Sequence, residues 1–463
     1  MAILIAVAPL ERRSLSGWGR TNATVADYAD VDGIGLAAVV KEAGPRGALV
    51  RGLGRSYGDA AQNGGGVVVR LQSDLADAVL HPEAGTITVG AGVSLDELLR
   101  VIVPKGFFVP VTPGTRFVTI GGAIASDIHG KNHHVDGSFG QHVARMTMML
   151  ADGSVVTVGP DHLPELFWAT VGGMGLTGVV LDATVKLLPI ETSRVTVDTS
   201  RIAHLDDLFA AMADDDLHRY SVAWIDVMAK GSHLGRSVLT RGDHTTFEAL
   251  GSGERPDPFE YRPRQLASVP PIPGPGVVNH VTIAAFNEMW FRKAPRRRMG
   301  ETQTIAQFFH PLDMVASWNR VYGRQGMVQY QFVLPFGQEH AMRAILERFA
   351  ASGYASFLAV LKRFGAANPA PLSFPAPGWT LAVDVPASSR GLGDLLHELD
   401  ASVLDAGGRL YFAKDAHTTA AAIRRGYPRL DEWRAVRDHY DPYGRWQSDL
   451  SRRLGLTSGE STR

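Results

Sequence analysis

The chain has 463 residues and not one cysteine. That absence excludes disulfides, thiolate metal sites and cysteine nucleophiles, although it does not identify a compartment. An excess of one charge is missing as well. Lys and Arg number 46 against 47 Asp and Glu, a formal net charge of -1, so the whole-chain electrostatics give no reason to expect nucleic acid as a partner. Long apolar runs are also absent. The N-terminal stretch Ala2-Ile-Leu-Ile-Ala-Val-Ala8 is too short to cross a bilayer. Its charges, Glu11-Arg-Arg13, follow it rather than precede it, the wrong order for a secretory signal. A soluble or peripheral protein is expected, and no solenoid-type repeat is visible.

What is present is ordinary core-forming material, 45% hydrophobic and 20% charged, in a chain long enough for two domains. Ser94-Leu-Asp-Glu97 forms a capping box before a helix that Pro104 stops. Met146 to Leu150 and Val155 to Val158 predict a hairpin turning on Asp152-Gly153. Val179 to Leu188 reads as a strand ending at Pro189. Beyond a composition shift near 192–200, Leu205 to Met212 reads as a helix and Ser221 to Val227 as a strand. Gln329 to Leu334 is another strand, Leu395 to Leu404 a helix, and Arg409 to Phe412 a strand. Between them, Arg255 to Gly276 holds seven prolines and little periodicity. A structureless stretch of that length is expected to be disordered or a functional lid.

Three glycine-rich segments carry the chemistry. Arg51-Gly-Leu-Gly-Arg-Ser-Tyr-Gly-Asp59 lies between two strand-like runs, and its consecutive N–H groups suit an anion such as a pyrophosphate. Pro113 to Gly130 adds the hydroxyls of Thr115, Thr119 and Ser126 to a small-residue backbone with room for something large and planar. Tight packing of a glycine-rich strand and helix start accounts for it equally well. Gly172-Gly-Met-Gly-Leu-Thr-Gly178 matches G-x-G-x-x-G, but a helix (Glu165 to Thr170) precedes it and a strand follows. That order is wrong for a nicotinamide site, though the glycines still allow close approach to a cofactor.

In this order the three segments resemble the flavin-binding domain of the vanillyl-alcohol-oxidase superfamily. Leu15 to Thr21, Asp127-Ile-His-Gly-Lys-Asn-His-His134, Phe309 to Met314, Gln329-Tyr-Gln331, Trp379 to Asp384 and Tyr411-Phe-Ala-Lys-Asp415 narrow the likeness. Together they resemble the decaprenylphosphoryl-β-D-ribose 2′-oxidase family, over nearly the full chain. The resemblance implies an α+β, two-domain flavoprotein. An FAD-binding domain would span 8–192, and a substrate domain on an antiparallel sheet with flanking helices 193–405, with a mobile loop at about 255–276. A C-terminal return to the first domain would span 406–463.

The implied cofactor is non-covalent FAD, because Arg55 stands where a flavin-linking histidine occurs elsewhere in the superfamily. Its implied contacts are Arg51, Gly52, Leu53, Gly54, Arg55, Ser56, Tyr57 and Gly58, then Gly114, Thr115, Thr119, Gly121, Gly122, Ser126, His129, Gly130, Val180 and Tyr411. The implied catalytic residues are Lys414, His129 and Tyr411. Lys414 would orient the sugar hydroxyl and stabilise developing charge. His129 suits a base by its ordinary titration range, with a structural or cofactor-orienting role equally open. Its spacing from His133 and His134 also permits a metal reading, which Gly130 and the lack of a nearby carboxylate oppose. No metal is expected. Gln329 and Gln331 share one strand face, opposite Tyr330, suited to a sugar's hydroxyls. Lys131, Trp224, Lys362, Thr380, Ala382 and Lys414 complete the implied substrate pocket.

Ala382 stands where the family's best-known members carry a cysteine beside the flavin, so inhibitors that bond covalently to that thiol should not react here. Thr380, Phe309 and Met174 depart from the usual asparagine, tyrosine and asparagine. The resemblance further implies a lipid-linked pentose as substrate, an NAD(P)H-dependent keto-reductase as functional partner, and a quinone or similar electron acceptor. It also implies a peripheral place at the plasma membrane or cell envelope. Met289-Trp-Phe-Arg-Lys-Ala-Pro-Arg-Arg-Arg298 has a composition suited to anionic headgroups, though a charged surface turn explains it too. Rival expectations are an oxidase of a soluble alditol or aldonolactone, and a flavin-fold protein that binds without turnover.

Overall fold

The computed structural model describes residues 9–213 and 217–457; the apolar run from Ala2 to Ala8 lies outside them. Strands β1 (Glu11–Ser16), β2 (Ala23–Val31), β3 (Ala48–Val50) and β4 (Val67–Leu71) form a mixed sheet in the order β1-β2-β4-β3. The chain then forms β5 (Val79–His81), β6 (Thr86–Gly90), β7 (Phe107–Phe108), β8 (Val143–Met149), β9 (Val155–Val158), β10 (Val179–Lys186) and β11 (Leu188–Pro189). Five of them make an antiparallel sheet, β5-β6-β10-β8-β9, while β7 and β11 pair separately. Pro189 therefore does not stop the chain's extended run. It sits in a second short strand, where a proline's missing N–H costs little at an edge.

The local signals are realised where neighbours in sequence suffice to set them. Ser94 and Glu97 exchange both bonds of the capping box ahead of the helix Leu95–Ile102. The hairpin β8–β9 turns at Asp152-Gly153, with Gly153 at φ 86°.

The second sheet is larger. Strands β12 (Arg194–Ile202), β13 (Tyr220–Ile225), β14 (Ser237–His244), β15 (Ala267–Ser268), β16 (Arg297–Thr304), β17 (Val315–Ala316), β18 (Met327–Pro335), β19 (Ala359–Phe364), β20 (Gly378–Pro386) and β21 (Arg409–Leu410) follow in sequence. Eight of these form one antiparallel sheet, β16-β12-β14-β13-β19-β20-β18-β21. The Arg409 to Phe412 strand is thus shorter than its sequence suggests, and its two residues close one edge.

Alternation divides this sheet's two faces. Ala223, Leu239, Tyr330, Phe332, Leu361, Leu381 and Val383 bury one face against the helices Leu205–Ala213, Glu339–Ser352 and Leu392–Asp405. The opposite face looks towards the first half of the chain. The proline-rich 255–276 stretch holds the short strand β15, parallel to β17, and Leu266 and Val269 donate to Met314 and Ala316.

The C-terminal segment packs back across the first unit. Tyr411, Phe412, Trp433, Leu450 and Leu454 share a core with Ala60, Ala169 and Leu176. The Trp433 indole donates to Ala169 O at 2.9 Å, and buried Arg437 pairs with buried Asp441 at 2.9 Å.

Candidate active site

A cavity of about 690 Å³ lies between the glycine-rich loops and the free face of the large sheet. That is well within the usual range for small-molecule sites. Its roof is a register row. Gln331 pairs with Ala382, Ala382 with Val360, Val360 with Trp224 and Trp224 with Val238, so one line of side chains crosses five strands. All five line the cavity. Gln329 and Lys362 stand one pleat away on the same face, and Tyr330 points to the helical core, where its hydroxyl donates to Asp400 at 3.0 Å.

The opposite wall is made by residues 52–57, 113–115 and the stretch from Val118 to Lys131. Among the described residues, the N–H groups of 52–56 donate to no protein acceptor, whereas those of Arg51 and Tyr57 go to Val69 and Ala413. Adjacent unsatisfied N–H groups on a glycine turn are a concavity for an anion. Close packing requires the glycines: a Cβ on Gly52 would collide with Thr119 Oγ1, and one on Gly54 (φ 64°) with the Arg51 guanidinium.

Several residues assigned from sequence to the cofactor, and one assigned to the substrate, have other work. Arg51 donates to Ala61 O and Ser16 O, both at 2.7 Å, and so braces the loop from behind. Gly58 is pressed against Asp415 O and Gly121 against Ala91. Val180 packs in the first core. Thr380 lies buried behind Gln331, receiving its amide at 3.2 Å and donating to Phe332 O. None of these five lines the cavity. The other assigned residues do: Gly52, Leu53, Gly54, Arg55, Ser56, Tyr57, Gly114, Thr115, Thr119, Gly122, Ser126, His129, Gly130, Tyr411, Lys131, Trp224, Gln329, Gln331, Lys362, Ala382 and Lys414. Of the third glycine segment only Met174 reaches it, held at φ 56°, while Gly172 and Gly173 abut Ser373 and Trp433.

Asp127 anchors the backbone two residues before His129. It is buried in the left-handed region (φ 39°) and accepts from Ser138 Oγ, Gly140 N, Asn368 Nδ2 and Ser373 Oγ at 2.5–2.9 Å. Gln331 Nε2 meets His129 Nε2 at 3.1 Å, and His129 Nδ1 is buried without a partner among the described residues. Phe364, Phe374 and Tyr411 surround the ring. The Tyr411 hydroxyl donates to Ser126 O at 2.8 Å.

Charge in the cavity is mostly positive. Burial lowers Lys131 and Lys362 to about 7, with Lys414 and Lys131 adding to the effect on Lys362. Lys131 donates to Phe308 O, and its ammonium lies 4.1 Å from the Phe308 ring centroid. Burial also lowers Lys414, opposed by Asp384. His129 falls well below its usual range through burial first, then Lys362, His133 and Lys414, so its imidazole is held neutral. An anion in the cavity would reverse the lysine shifts.

Sequence reasoning overlooked several wall residues. Asp313 accepts from Thr115 Oγ1 at 2.7 Å and Arg116 N at 2.8 Å, tying the second glycine segment to the 309–314 stretch. Thr112 Oγ1 and His310 Nε2 meet at 2.8 Å beside it. Phe286, Trp290, Trp318 and Phe357 make an aromatic end to the cavity. Only their shared apolar character was readable in advance.

Residues 35–159, which contain the 52–56 loop and the 113–130 segment, match the model of the FAD binding domain. The chain is 45% identical to decaprenylphosphoryl-β-D-ribose oxidase of Mycolicibacterium smegmatis over 97% of its own length and 98% of the relative's. The chain belongs to the decaprenylphosphoryl-β-D-ribose oxidase family. An uncharacterised Streptomyces coelicolor protein is 40% identical over 79% of this chain and all of its own. An alditol oxidase of a Streptomyces species is 25% identical over 88% and 90%. The protein is an FAD-dependent oxidoreductase of α+β architecture. The free amides of 52–56 and the size of the cavity fit that cofactor.

Proposed function

We propose that this protein oxidises the 2′-hydroxyl of decaprenylphosphoryl-β-D-ribose, or a close polyprenyl analogue, to the 2′-keto sugar. That is the first half of an epimerisation that supplies arabinose for cell-wall arabinan. The observation that carries the reading is the convergence of Lys131, Lys362, Lys414 and neutral His129 on the cavity whose far wall bears the amides of 52–56. Such a site suits an anionic, hydroxyl-rich ligand better than a neutral polyol.

Bound FAD supplies the hydride acceptor for alcohol oxidation. The amides of Gly52 to Ser56 would hold its pyrophosphate, with Thr115, Thr119 and Ser126 supplying hydroxyls nearby. Gln329 and Gln331 hold the sugar's hydroxyls from the sheet face. Lys414, its neutral form favoured by burial, takes the hydroxyl proton. His129, held neutral among cations, orients the ligand as a hydrogen-bonding group. Lys131 and Lys362 offset the substrate phosphate, and Tyr411 fixes the backbone at Ser126.

The lipid tail leaves by the aromatic end. Trp290 lines the cavity and is 43% exposed, and the same surface carries Val281 and Met289 beside Arg292, Lys293, Arg296, Arg297 and Arg298. This composition supports a peripheral place on an anionic membrane; the family resemblance supplies the rest of the reading, a separate NAD(P)H-dependent keto-reductase completing the epimerisation and a quinone or similar acceptor reoxidising the flavin. Among the described residues no helix is long and apolar enough to span a bilayer.

Anaerobic mixing of the flavoprotein with a prenylphosphoryl ribose tests the proposal. The flavin absorbance should bleach with that sugar and persist with xylitol or gulonolactone. Bleaching by the polyols instead would move the protein to the alditol class, and no bleaching by any alcohol would leave a binding role.

A further inference from the structure

Asp384 has no part in the chemistry assigned so far, yet it is a fully enclosed acid beside the cavity. It faces Gln329 across the β18–β20 ladder and is completely shielded from solvent. Gln329 Nε2 donates to Asp384 Oδ1 at 2.5 Å and reaches the Tyr57 hydroxyl at 3.3 Å. The Lys414 ammonium lies 4.0 Å from the centroid of the same Tyr57 ring. Asp384 Oδ2 is buried and has no hydrogen-bond donor among the described residues. A buried carboxylate with an oxygen left over is unfavourable unless a cation compensates it.

We propose that Asp384 is a positioning residue for Lys414: clamped by Gln329 behind the cavity wall, it is the counter-charge that governs when the Lys414 amine carries a proton. The proposal rests on Lys414 as the acceptor of the substrate's hydroxyl proton.

Among the described residues, Asp384 is the acid whose charge acts on that amine. Tyr57 faces the pair from the first glycine loop, with Arg55 beyond it, and Tyr322 contributes a buried hydroxyl that has no partner among the described residues. Lys414 also faces Lys362 on β19 and His129, and Lys131 lies beyond Lys362. Burial pushes Lys414 towards neutral amine and Asp384 towards protonated acid, and each opposes the other's shift.

Oxidation breaks the substrate O–H bond, whose proton would bond to the Lys414 Nζ lone pair, and bound FAD would supply the acceptor for the hydride from carbon. The ammonium so formed stands by a carboxylate rather than alone among cations. Without Asp384 the amine would be neutral at lower pH, but its protonated form would be poorly held.

Competitive trace acetylation of the flavin-loaded enzyme, read by mass spectrometry at Lys414 across a pH series, measures the amine's titration without any turnover. Asp384→Asn should lower the Lys414 midpoint by about one pH unit, which from about 8 is roughly a fivefold rise in reactive amine at pH 7, and Asp384→Glu should restore it. An unchanged midpoint in Asp384→Asn, or equal shifts in both variants, overturns the proposal. Should Asp384→Asn fail to retain flavin, Gln329→Leu keeps the acid and removes its clamp. It should shift the midpoint in the same direction, and no shift there is equally fatal. Lys414→Met separates the two ideas: full oxidation by that variant removes the proton-acceptor reading and leaves the labelling result standing.

Discussion

Gly52→Ala puts the first glycine loop to a quantitative test. A Cβ at residue 52 would fall well inside the 3.0 Å that real Cβ atoms keep from Thr119 Oγ1, and it would lie 3.3 Å from Thr119 Cγ2. Thr119 cannot yield freely, because its hydroxyl caps the helix Ile120–Ala125 by accepting from Gly122 N at 3.1 Å. Either the cap breaks or the loop lifts away from the cavity with its unsatisfied amides. Overpacking of this kind costs about 1–3 kcal/mol. If the loop bears the strain, FAD affinity should weaken roughly 5- to 150-fold. Thr119→Ala alone should cost about 0.5–2 kcal/mol of stability through the lost cap. In that background the clashing atoms are gone, so Gly52→Ala should become nearly silent. FAD titration of the four proteins by calorimetry, analysed as a double-mutant cycle, gives the coupling. Additive effects, or an unchanged FAD affinity in Gly52→Ala, would refute the claim that this contact sets the loop.

Two further outcomes are expected. Burial raises Asp400 to about 6, against hydrogen bonds from Thr418 and Tyr330. A raised folded-state value means a contribution present below the unfolded carboxylate range and lost as pH rises through about 6. Asp400→Asn should therefore stabilise the fold at pH 8 by on the order of 2–3 kcal/mol, seen as a higher Tm, and give no gain below pH 4; equal Tm changes at both pH values would contradict this. Replacing Arg296, Arg297 and Arg298 together by glutamate should reduce sedimentation with phosphatidylglycerol vesicles and leave neutral vesicles unaffected. Undiminished binding to the anionic vesicles would exclude this face as the membrane contact.

The comparison of sequence with structure is instructive at individual residues. Period-two alternation put Gln329 and Gln331 on one face and Tyr330 on the other, and the register row above the cavity follows from it. The same alternation places Thr380, Ala382 and Asp384 together, yet it did not reveal Asp384, whose importance depends on facing Gln329 and lying within reach of Lys414. Arg51 looked like a ligand for an anion and is a brace, because Ser16 O and Ala61 O lie behind the loop. Gly58 and Gly121 looked like room for a cofactor and are room for the neighbouring backbone.

The α+β class and the FAD-binding character came from the family resemblance of motifs spread along the chain. The capping box, the hairpin and the two faces of the Gln329-Gln331 strand came from residues a few positions apart, whose preferences act before any long-range contact forms. Tertiary structure alone decided which glycines face a ligand, that three lysines share one cavity, and how far burial moves their protonation. Desolvation and Coulomb interaction depend on distance through space, and Lys131, Lys362, Asp384 and Lys414 meet only once the sheet, the loops and the C-terminal return have packed.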